Sequence, residues 1–422
     1  MRLSPTPTRL FYQFSGVHSL LIGLLPFYLP ALMWQNGLTL SDICWFVALN
    51  GSGYLLTLYV WDRIRQRLGW RKVIAVSFVL ELAVVGSIVV DTSLSAIHLI
   101  ALLNGAYGCF FWMSQRLLFV QCTGSHNTGK KFGNFQIVVM ILLKVGILAG
   151  GYLWQMWGAA SVFWVTLGLV VPAVVYHLCI HLPTDLNASI EPPLALKSLS
   201  TYRDKNRSRL VFFGDGLFLF AESYFWVITL YFISGQDLSK LGVLVVSLSI
   251  LLAILFYIIK NTLDHINPQR VYVLAVFGYC LSWLLRGLVD TDGDLWIYPM
   301  IVVIGFFTAF FRLAFNKRFF DLSKQKKTHD YIVMKSYYSQ LGVCVFYSLM
   351  AMGMIILTGS FSHLVPDTLK DPVVILQWCY WGLTPAALVY LLYRTTGAED
   401  ISGDSCQAAA ISAETEREKT AS

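Results

Sequence analysis

The chain of 422 residues carries little charge. Asp, Glu, Lys and Arg make up 13% of it, whereas a soluble protein usually carries about 25%. Apolar residues make up 56%, and the mean hydropathy is +0.63. These values exclude a disordered chain, a coiled coil and an ordinary soluble enzyme. We therefore expect a protein that lies almost wholly within a lipid bilayer.

The sequence also lacks the motifs of several enzyme and cofactor-binding classes. No Gly-rich loop ends in Gly-Lys-Ser or Gly-Lys-Thr, which excludes ATP-driven transport by this chain alone. None of the eight cysteines pairs with another at metal-ligand spacing. The net charge of +7 does not indicate nucleic-acid binding, because basic residues collect on the cytoplasmic loops of membrane proteins. We expect no enzymatic activity, no cofactor, no metal and no nucleic-acid partner.

Long apolar runs dominate what is present. A bilayer-spanning helix needs about 20 mostly apolar residues. Twelve such runs occur at about 10–33, 40–61, 73–91, 96–120, 132–154, 158–182, 210–233, 238–259, 271–289, 295–320, 332–358 and 374–394. Each must be a helix, because open strands leave backbone polar groups unsatisfied in lipid. The predicted fold class is an all-α integral membrane protein with twelve transmembrane helices in two pseudo-symmetric six-helix bundles.

The runs divide into two bundles with polar segments after each. The amino-terminal bundle is residues 1–182, the polar central loop is 183–208, and the carboxy-terminal bundle is 209–395. The tail, 396–422, is polar, small and acidic, so we expect it to be disordered and cytoplasmic.

The two bundles resemble each other in sequence. Leu40-Ser41-Asp42 opens the second run, and Leu238-Ser239-Lys240 opens the eighth, 198 positions later. Gly105 and Gly305 are 200 positions apart, and each precedes a Phe-Phe pair by the same spacing. A near-constant offset over whole six-span halves indicates a parallel repeat about an axis along the membrane normal.

Basic residues indicate the orientation. Lys and Arg gather in the loops that follow even-numbered runs: Arg63, Arg65, Arg67, Arg71, Lys72, Lys130, Lys131, Lys197, Arg203, Lys205, Arg207, Arg209, Lys260, Arg270, Lys317, Arg318, Lys324, Lys326 and Lys327. This bias predicts that both termini and the central loop are cytoplasmic. The compactness of the chain favours a multi-pass protein of a bacterial inner (plasma) membrane.

The loop after the second run carries a family resemblance. It reads Asp62-Arg63-Ile-Arg65-Gln-Arg67-Leu-Gly69-Trp-Arg71-Lys72, which resembles the G-x-x-x-D-R-x-G-R-R/K signature of the major facilitator superfamily. The Asp-Arg pair stands four residues earlier than in that signature, and Leu58 replaces its first Gly.

The six-plus-six runs extend this resemblance over about 385 residues. It implies a secondary transporter for a small molecule. It also implies that Asp62, Arg63, Gly69 and Arg71 brace the two bundles and bias which side is open. The alternative for these cations is anchoring of the loop at lipid headgroups.

Ionisable residues inside a membrane span are costly and tend to mark function. Asp215 and Glu222 lie seven residues apart in the seventh run, so both carboxylates share one helix face. A carboxylate in low-dielectric surroundings can load and release protons near neutral pH. Glu222 and Asp215 are therefore proton-coupling candidates. His18 in the first run is a third candidate, although a hydrogen-bonded packing histidine is the alternative.

Three cations are candidates for substrate binding. Lys144 lies near the middle of the fifth run, Arg116 late in the fourth and Arg312 two-thirds through the tenth. Arg can hold a carboxylate or phosphate through two parallel hydrogen bonds, although Arg116 lies close enough to the cytoplasmic side to snorkel. Lys144 and Glu222 lie at similar depth in opposite bundles, and we hypothesise that they pair in one conformation and separate in another. Glu81 and Arg286 are expected to be structural.

The expected function is proton-coupled secondary transport of a small organic anion or zwitterion by a monomer. Two alternatives remain open from the sequence. One is export of amphipathic, drug-like compounds, which the Gly-rich fifth run and the abundant aromatic residues favour. The other is a sensor or assembly partner that no longer transports, which the altered loop signature favours.

Overall fold

The structure is a computed structural model that describes residues 7–90, 93–123, 128–180, 191–263, 268–290, 296–358 and 371–393. Within these ranges the chain forms helices and short turns, with no strand. Residues 183–190 of the central loop and the tail 396–422 lie outside the described residues.

The described helices follow the order of the apolar runs. In the amino-terminal bundle they are α1 (Pro7–Leu24), a 3₁₀ turn (Pro26–Tyr28), α2 (Leu29–Gln35), α3 (Leu40–Val90), α4 (Leu94–Thr123) and α5 (Thr128–Cys179). A short helix, α6 (Leu196–Thr201), lies in the central loop. The carboxy-terminal bundle has α7 (Ser208–Phe220), a π-helical turn (Ala221–Phe225), α8 (Trp226–Ile233), α9 (Leu238–Leu263), α10 (Pro268–Arg286), α11 (Ile297–Gln325), α12 (Thr328–Thr358), α13 (Pro372–Ala386) and a final 3₁₀ turn (Ala387–Leu392).

Helices α3 and α5 are too long for a single crossing. The 51 residues of α3 would extend about 75 Å at 1.5 Å per residue, whereas the hydrocarbon core is about 30 Å thick. Gly69 interrupts α3 with φ 69° and ψ 165°, and Gly158 interrupts α5 with φ 75° and ψ −178°. Glycine adopts such positive φ angles without a steric penalty. These breaks separate the predicted second run from the third, and the fifth from the sixth.

Several helices have the length and composition of membrane spans. Eight helices within the described ranges could cross a membrane, or nine if the pair bent by 43° near Leu25 is one span. Two of the eight are α3 and α5, each with an internal break. The chain is therefore a multi-pass helical membrane protein.

The two bundles meet along α3 and α12. The residues before the break of α3 pack on α12, and α5 packs on α9. The Ser52 hydroxyl and the Cys344 thiol are 3.4 Å apart across this contact. Further from Gly69, Cys44 Sγ lies 4.0 Å from Met354 Sδ.

One end of the contact is closed by a charged cluster. We call the end that holds Gly69, residues 191–207 and the start of α12 the basic end. There, Asp62 accepts hydrogen bonds from Arg65 Nε at 3.1 Å and from the backbone N–H of Leu194 at 2.7 Å. His329 Nε2 from α12 lies 2.8 Å from Asp62 and 2.8 Å from Arg65 Nη2. All three side chains are at least 97% buried, so the cluster joins the bundles in a dry contact.

The other members of the predicted loop motif lie elsewhere. Arg63 stacks on its own helix, with its guanidinium carbon 3.4 Å from the Tyr59 ring centroid, and it donates to the Tyr59 carbonyl. Arg71 is half-buried and lies outside the cluster. Among the four motif positions in the described part of the chain, Asp62 forms a hydrogen bond to the second bundle, through His329.

The described part of the central loop is also attached at the basic end. Lys326 donates to Asp204 at 2.7 Å and to the Tyr202 hydroxyl at 2.9 Å. Burial raises the pKa of Asp204, but hydrogen bonds from Lys326 and Ser208 outweigh it and hold that pKa below its usual range. A depressed carboxyl pKa stabilises the fold above the unfolded-state pKa, and this contribution disappears as pH falls through the folded-state pKa.

The bundles also touch at the opposite end. The Trp34 and Phe232 rings lie 5.2 Å apart in an edge-to-face arrangement. Phe46 of the first bundle and Tyr224 of the second lie 5.8 Å apart. The halves are therefore in contact at both ends in this conformation.

Removing the charge of Asp62 should weaken the basic-end contact. In a cysteine-free background, spin labels at the exposed positions Arg67 and Lys327 report the distance between the bundles. We expect Asp62→Asn to shift the distribution towards longer distances, because Arg65 loses its carboxylate and His329 loses a charged partner. Arg63→Gln is the matched control and should leave the distribution unchanged. Equal distributions for Asp62→Asn and the unsubstituted chain would contradict the bracing role of Asp62.

Candidate functional site

A single guanidinium group organises the charges inside the carboxy-terminal bundle. Arg312 on α11 donates from Nη1 to Asp215 at 2.8 Å and from Nε to the two Glu222 oxygens at 3.0 and 3.2 Å. Its Nη2 lies 3.4 Å from the Tyr279 hydroxyl. One cation is thus shared between the two carboxylates that the sequence placed on one helix face.

Asp215 is the fully enclosed carboxylate of this pair. Besides Arg312, it accepts a hydrogen bond from Lys335 Nζ at 3.1 Å and one from the Tyr390 hydroxyl at 2.6 Å. Its side chain has no exposed surface. A buried charge needs such pairing and hydrogen bonding to be tolerated, so these donors hold Asp215 as an anion.

Glu222 has a more open environment. Its side chain is 18% exposed, and that of Arg312 is 19% exposed. The Tyr279 hydroxyl donates to it in a short hydrogen bond. Glu222 belongs to the π-helical turn Ala221–Phe225 between α7 and α8. Such turns are rare and frequently occur at functional sites. Of the two carboxylates, Glu222 is the more exposed.

Close helix packing brings Lys335 to Asp215. A Cβ atom on Gly216 would lie 2.1 Å from the Ser339 carbonyl oxygen of α12, so only glycine allows the approach of α7 to α12. Lys335 lies one helical turn before Ser339 and therefore reaches the neighbouring carboxylate. Its ammonium also lies 5.4 Å from the Phe315 ring centroid and 5.2 Å from that of Phe319.

Arg116 joins the same region from the amino-terminal bundle. Its Nη1 donates to the Ser336 hydroxyl of α12 at 3.0 Å. Arg116 and Arg312 both lie within electrostatic reach of Lys335. The sequence alternative, that Arg116 snorkels towards the headgroups, does not describe this geometry. The region therefore holds the two carboxylates with Arg116, Arg312 and Lys335, drawn from both bundles, and Arg286 lies within electrostatic reach of Glu222 and Arg312.

Lys144 lies apart from this cluster. It shares a face of α5 with Ile137, Ile141 and Leu148, which are all exposed. Within the described ranges it forms no ion pair, and Glu222 is bound to Arg312 instead. The hypothesised pair of Lys144 with Glu222 is not formed in this conformation.

His18 lies in a second polar cluster, inside the amino-terminal bundle. Its Nδ1 is 2.5 Å from Glu81, and its Nε2 is 2.9 Å from the Ser77 hydroxyl. Glu81 also accepts from Tyr107 at 2.9 Å. Arg286, in contrast, contacts no carboxylate within the described ranges. It donates to Ser282 and Thr308 and lies against the Trp283 ring, 4.3 Å from its centroid.

Several residues of the carboxy-terminal cluster were not singled out by sequence. Lys335 stands only three residues inside the eleventh run, where a lysine normally indicates a membrane boundary. Its position within an apolar run is the sequence feature that could have marked Lys335 as a site residue. Tyr279, Tyr390 and Ser336 carry no such signal, because many other aromatic and hydroxyl residues occupy the spans.

Removing the charge of Asp215 should destabilise the protein, because Arg312 and Lys335 lose their buried counter-ion. We expect Asp215→Asn to cost about 3–5 kcal/mol, the range for breaking a buried ion pair from one side. Lys335→Met should restore part of that loss in the Asp215→Asn background, because no unpaired ammonium remains. Thermal unfolding in detergent of the four proteins of this double-mutant cycle measures the coupling. If the stability losses of the two single substitutions add up to the loss of the double variant, the proposed pairing of Asp215 with Lys335 is contradicted.

The comparisons with known proteins agree with this helical arrangement. No curated protein sequence matches the chain. Two crystal structures of the nucleoside transporter NupG, one of them of a single-residue variant, are similar in fold. The variant has a TM-score of 0.64 at 14% identity, covering 92% of this chain and 100% of the other. The second has a TM-score of 0.60 at 13% identity, covering 93% and 100%.

A family model supplies the assignment. The model described as Major Facilitator Superfamily matches residues 15–347, which include Asp62, Arg116, Asp215, Glu222 and Arg312. The match spans more than three-quarters of the chain and reaches into the carboxy-terminal bundle as far as α12. The chain therefore belongs to the major facilitator superfamily, whose members include transporters of the fold found here, and it is a transporter rather than an enzyme.

Proposed function

We propose that this protein carries a small organic anion or zwitterion across the membrane in exchange for, or together with, protons. The observation that carries the proposal is the sharing of Arg312 between Asp215 and Glu222. In this proposal the two bundles have twelve spans: α3 and α5 are divided at their glycine breaks, and α1 with α2 and α7 with α8 each count as one. They rock about the site and expose it alternately to each side.

The charge of the site supports an anionic or zwitterionic substrate. Arg116, Arg312 and Lys335 outnumber the two carboxylates, and Arg286 lies within electrostatic reach of Glu222, so the region has positive charge in excess. Excess charge in a low-dielectric interior is costly, and a bound anion compensates it. A guanidinium can hold a carboxylate or phosphate through two parallel hydrogen bonds.

Glu222 is the better of the two carboxylates for carrying a proton. It is partly exposed, lies on the π-helical turn and has Arg312 and Tyr279 as partners. Protonation of Glu222 removes its ion pair with Arg312 and frees Nε for a substrate oxygen. Asp215 keeps Arg312 in place meanwhile through Nη1. Proton uptake therefore raises the positive charge available to the anion, which couples the two binding events.

Arg116 supplies the contact with the other bundle. It donates to Ser336 on α12, across the surface along which the halves must separate. A substrate held by Arg312 and Arg116 together would draw the bundles towards each other. Lys144 remains a candidate for a conformation in which α5 has moved relative to α7.

The distribution of Lys and Arg supports an orientation with the basic end and both termini in the cytoplasm. We place the protein in a bacterial inner (plasma) membrane as a monomer.

Substitution of Glu222 by Gln should abolish coupling while preserving binding. The protein is reconstituted in proteoliposomes, a pH gradient is imposed, and lumenal pH is followed while pools of organic anions, nucleosides and cationic dyes are added. We expect Glu222→Gln to reduce anion-dependent proton flux about a hundredfold or more, the scale for loss of a positioned proton-transfer group. Exchange of labelled for unlabelled substrate should persist, because Gln resembles the protonated acid. Glu191→Gln, an exposed carboxyl group in the central loop, is the matched control.

Other outcomes of this assay identify the alternatives. Proton flux driven by dyes but not by anions would establish export of amphipathic compounds. Proton flux driven by nucleosides would show that this protein transports nucleosides, as the name of the structurally similar transporter states for that protein. Ligand binding with no flux from any pool would support the sensor or assembly partner, and would overturn the transport proposal.

Loss of Arg116 should affect substrate affinity more than coupling. We expect Arg116→Gln to raise the anion concentration at half-maximal flux about tenfold, since a hydrogen bond from a charged group contributes about 1.5–3 kcal/mol. The ratio of protons to substrate should stay the same, because Glu222 and Arg312 are intact. Initial rates over a range of anion concentrations measure both quantities. A changed proton ratio with unchanged affinity would remove Arg116 from the substrate site.

A further inference from the structure

The second polar cluster, inside the amino-terminal bundle, contains a buried histidine and a buried carboxyl group in direct contact. His18 on α1 lies 2.5 Å through Nδ1 from Oε2 of Glu81 on α3. Tyr107 on α4 donates to Oε1 of Glu81 at 2.9 Å. His18, Glu81 and Ser77 have no exposed surface, and Tyr107 is 4% exposed. The cluster joins three helices of one bundle.

The hydrogen bonds determine how many protons this cluster holds. The Ser77 hydroxyl lies 2.7 Å from the Ile74 carbonyl and 2.9 Å from His18 Nε2. When its single proton is directed to Ile74, it accepts from His18, and Nε2 then carries a proton. The contact between Nδ1 and Glu81 needs one further proton, on either the nitrogen or the oxygen. Both forms, imidazole with carboxylic acid or imidazolium with carboxylate, have no net charge.

The surroundings separate this proton from water and from other charges. The His18 ring stacks on Phe78 at 3.9 Å and also contacts Phe14 and Phe111. The other titratable group that faces the cluster is His177 on α5, whose ring lies 5.4 Å from Phe78. His177 Nδ1 is bonded to the Ala173 carbonyl, and its Nε2 is buried without a partner. Among the described residues, neither His18 nor Glu81 forms an ion pair with any residue other than its partner.

The internal repeat gives this cluster a counterpart in the second bundle. The offset of 198 relates Glu81 to Tyr279. His18 and Glu222 lie on the first run of their bundles, and Tyr107 and Arg312 lie on the fourth. Each bundle thus joins its first, third and fourth spans by a carboxylate, a tyrosine and a nitrogen base. The difference is exposure: Glu222 and Arg312 are about one-fifth exposed, whereas Glu81 and His18 are sealed.

We infer that His18 and Glu81 share one proton that stays in the amino-terminal bundle throughout the transport cycle. This proton-holding pair binds α1 to α3 and α4 and does not exchange with the transported protons. Coupling is then confined to the carboxy-terminal cluster, with one proton per cycle carried by Glu222. The last statement rests on the proposed function of Glu222, whereas the shared proton rests on the geometry of the pair alone.

The first test compares two isosteric substitutions in the same proteoliposomes. In Glu81→Gln, the amide N–H can donate to neutral His18 Nδ1 while the amide oxygen accepts from Tyr107. We expect this variant to keep the proton flux and the ratio of protons to substrate of the unsubstituted protein, whereas Glu222→Gln loses proton flux. A loss of proton flux in Glu81→Gln equal to that in Glu222→Gln would overturn the inference.

The second test reads the pair directly and does not depend on a variant that folds. Nitrogen NMR of protein with labelled histidine reports the protonation of both His18 ring nitrogens. We expect these signals to stay constant from about pH 5 to about pH 8, the range in which an ordinary histidine titrates, with and without organic anion. Titration of His18 within that range, or a change on adding the anion, would overturn the inference.

The two proposals fail separately in these tests. If Glu222→Gln retains full proton flux, the proposed coupling role of Glu222 is wrong, while the NMR signals of His18 still report on the pair. If the His18 signals titrate while Glu222→Gln abolishes flux, the proton-holding pair is wrong and the coupling role of Glu222 stands.

Discussion

The shared use of Arg312 by two carboxylates is the interaction on which the carboxy-terminal bundle depends. One guanidinium joins α11 to Asp215 on α7 and to Glu222 on the π-helical turn. Because one cation cannot neutralise two buried anions, Lys335 and Tyr390 complete the environment of Asp215. Glu222 has fewer charged partners and is 18% exposed. The arrangement therefore leaves Asp215 enclosed and Glu222 the more open of the two carboxylates.

Packing between helices makes this arrangement possible. Lys335 reaches Asp215 because Gly216 lets α7 approach the backbone of α12 at Ser339. The same helix, α12, contacts the other bundle through His329 at the basic end and through Ser336 near Arg116. A change in charge at Asp215 thus acts, through Lys335, on the helix that also forms the surface between the halves.

The sequence could predict the spans and the charges inside them, but only part of their pairing. A charged residue in an apolar run is visible at once, which is why Asp215, Glu222 and Arg312 were all found. Their contact was not, since 90 residues separate Glu222 from Arg312 and the direction of each side chain depends on packing. Depth alone suggested Lys144 as the partner of Glu222. The exposed face of α5 on which Lys144 lies could not be known without its neighbours.

If the proposed coupling role of Glu222 holds, the comparison of the two bundles explains why only one of them should move protons. Each bundle holds a carboxyl group beside a tyrosine and a histidine or arginine, drawn from its first, third and fourth spans in a different order. A coupling carboxyl group needs access to water and a partner that can turn to another ligand. In the proposal Glu222 meets both conditions, because it is partly exposed and Arg312 has a second carboxylate partner in Asp215. Glu81 meets neither, because aromatic rings enclose its single basic partner, His18. On the proposed function, similar polar residues on the first, third and fourth spans hold one bundle together and drive transport in the other.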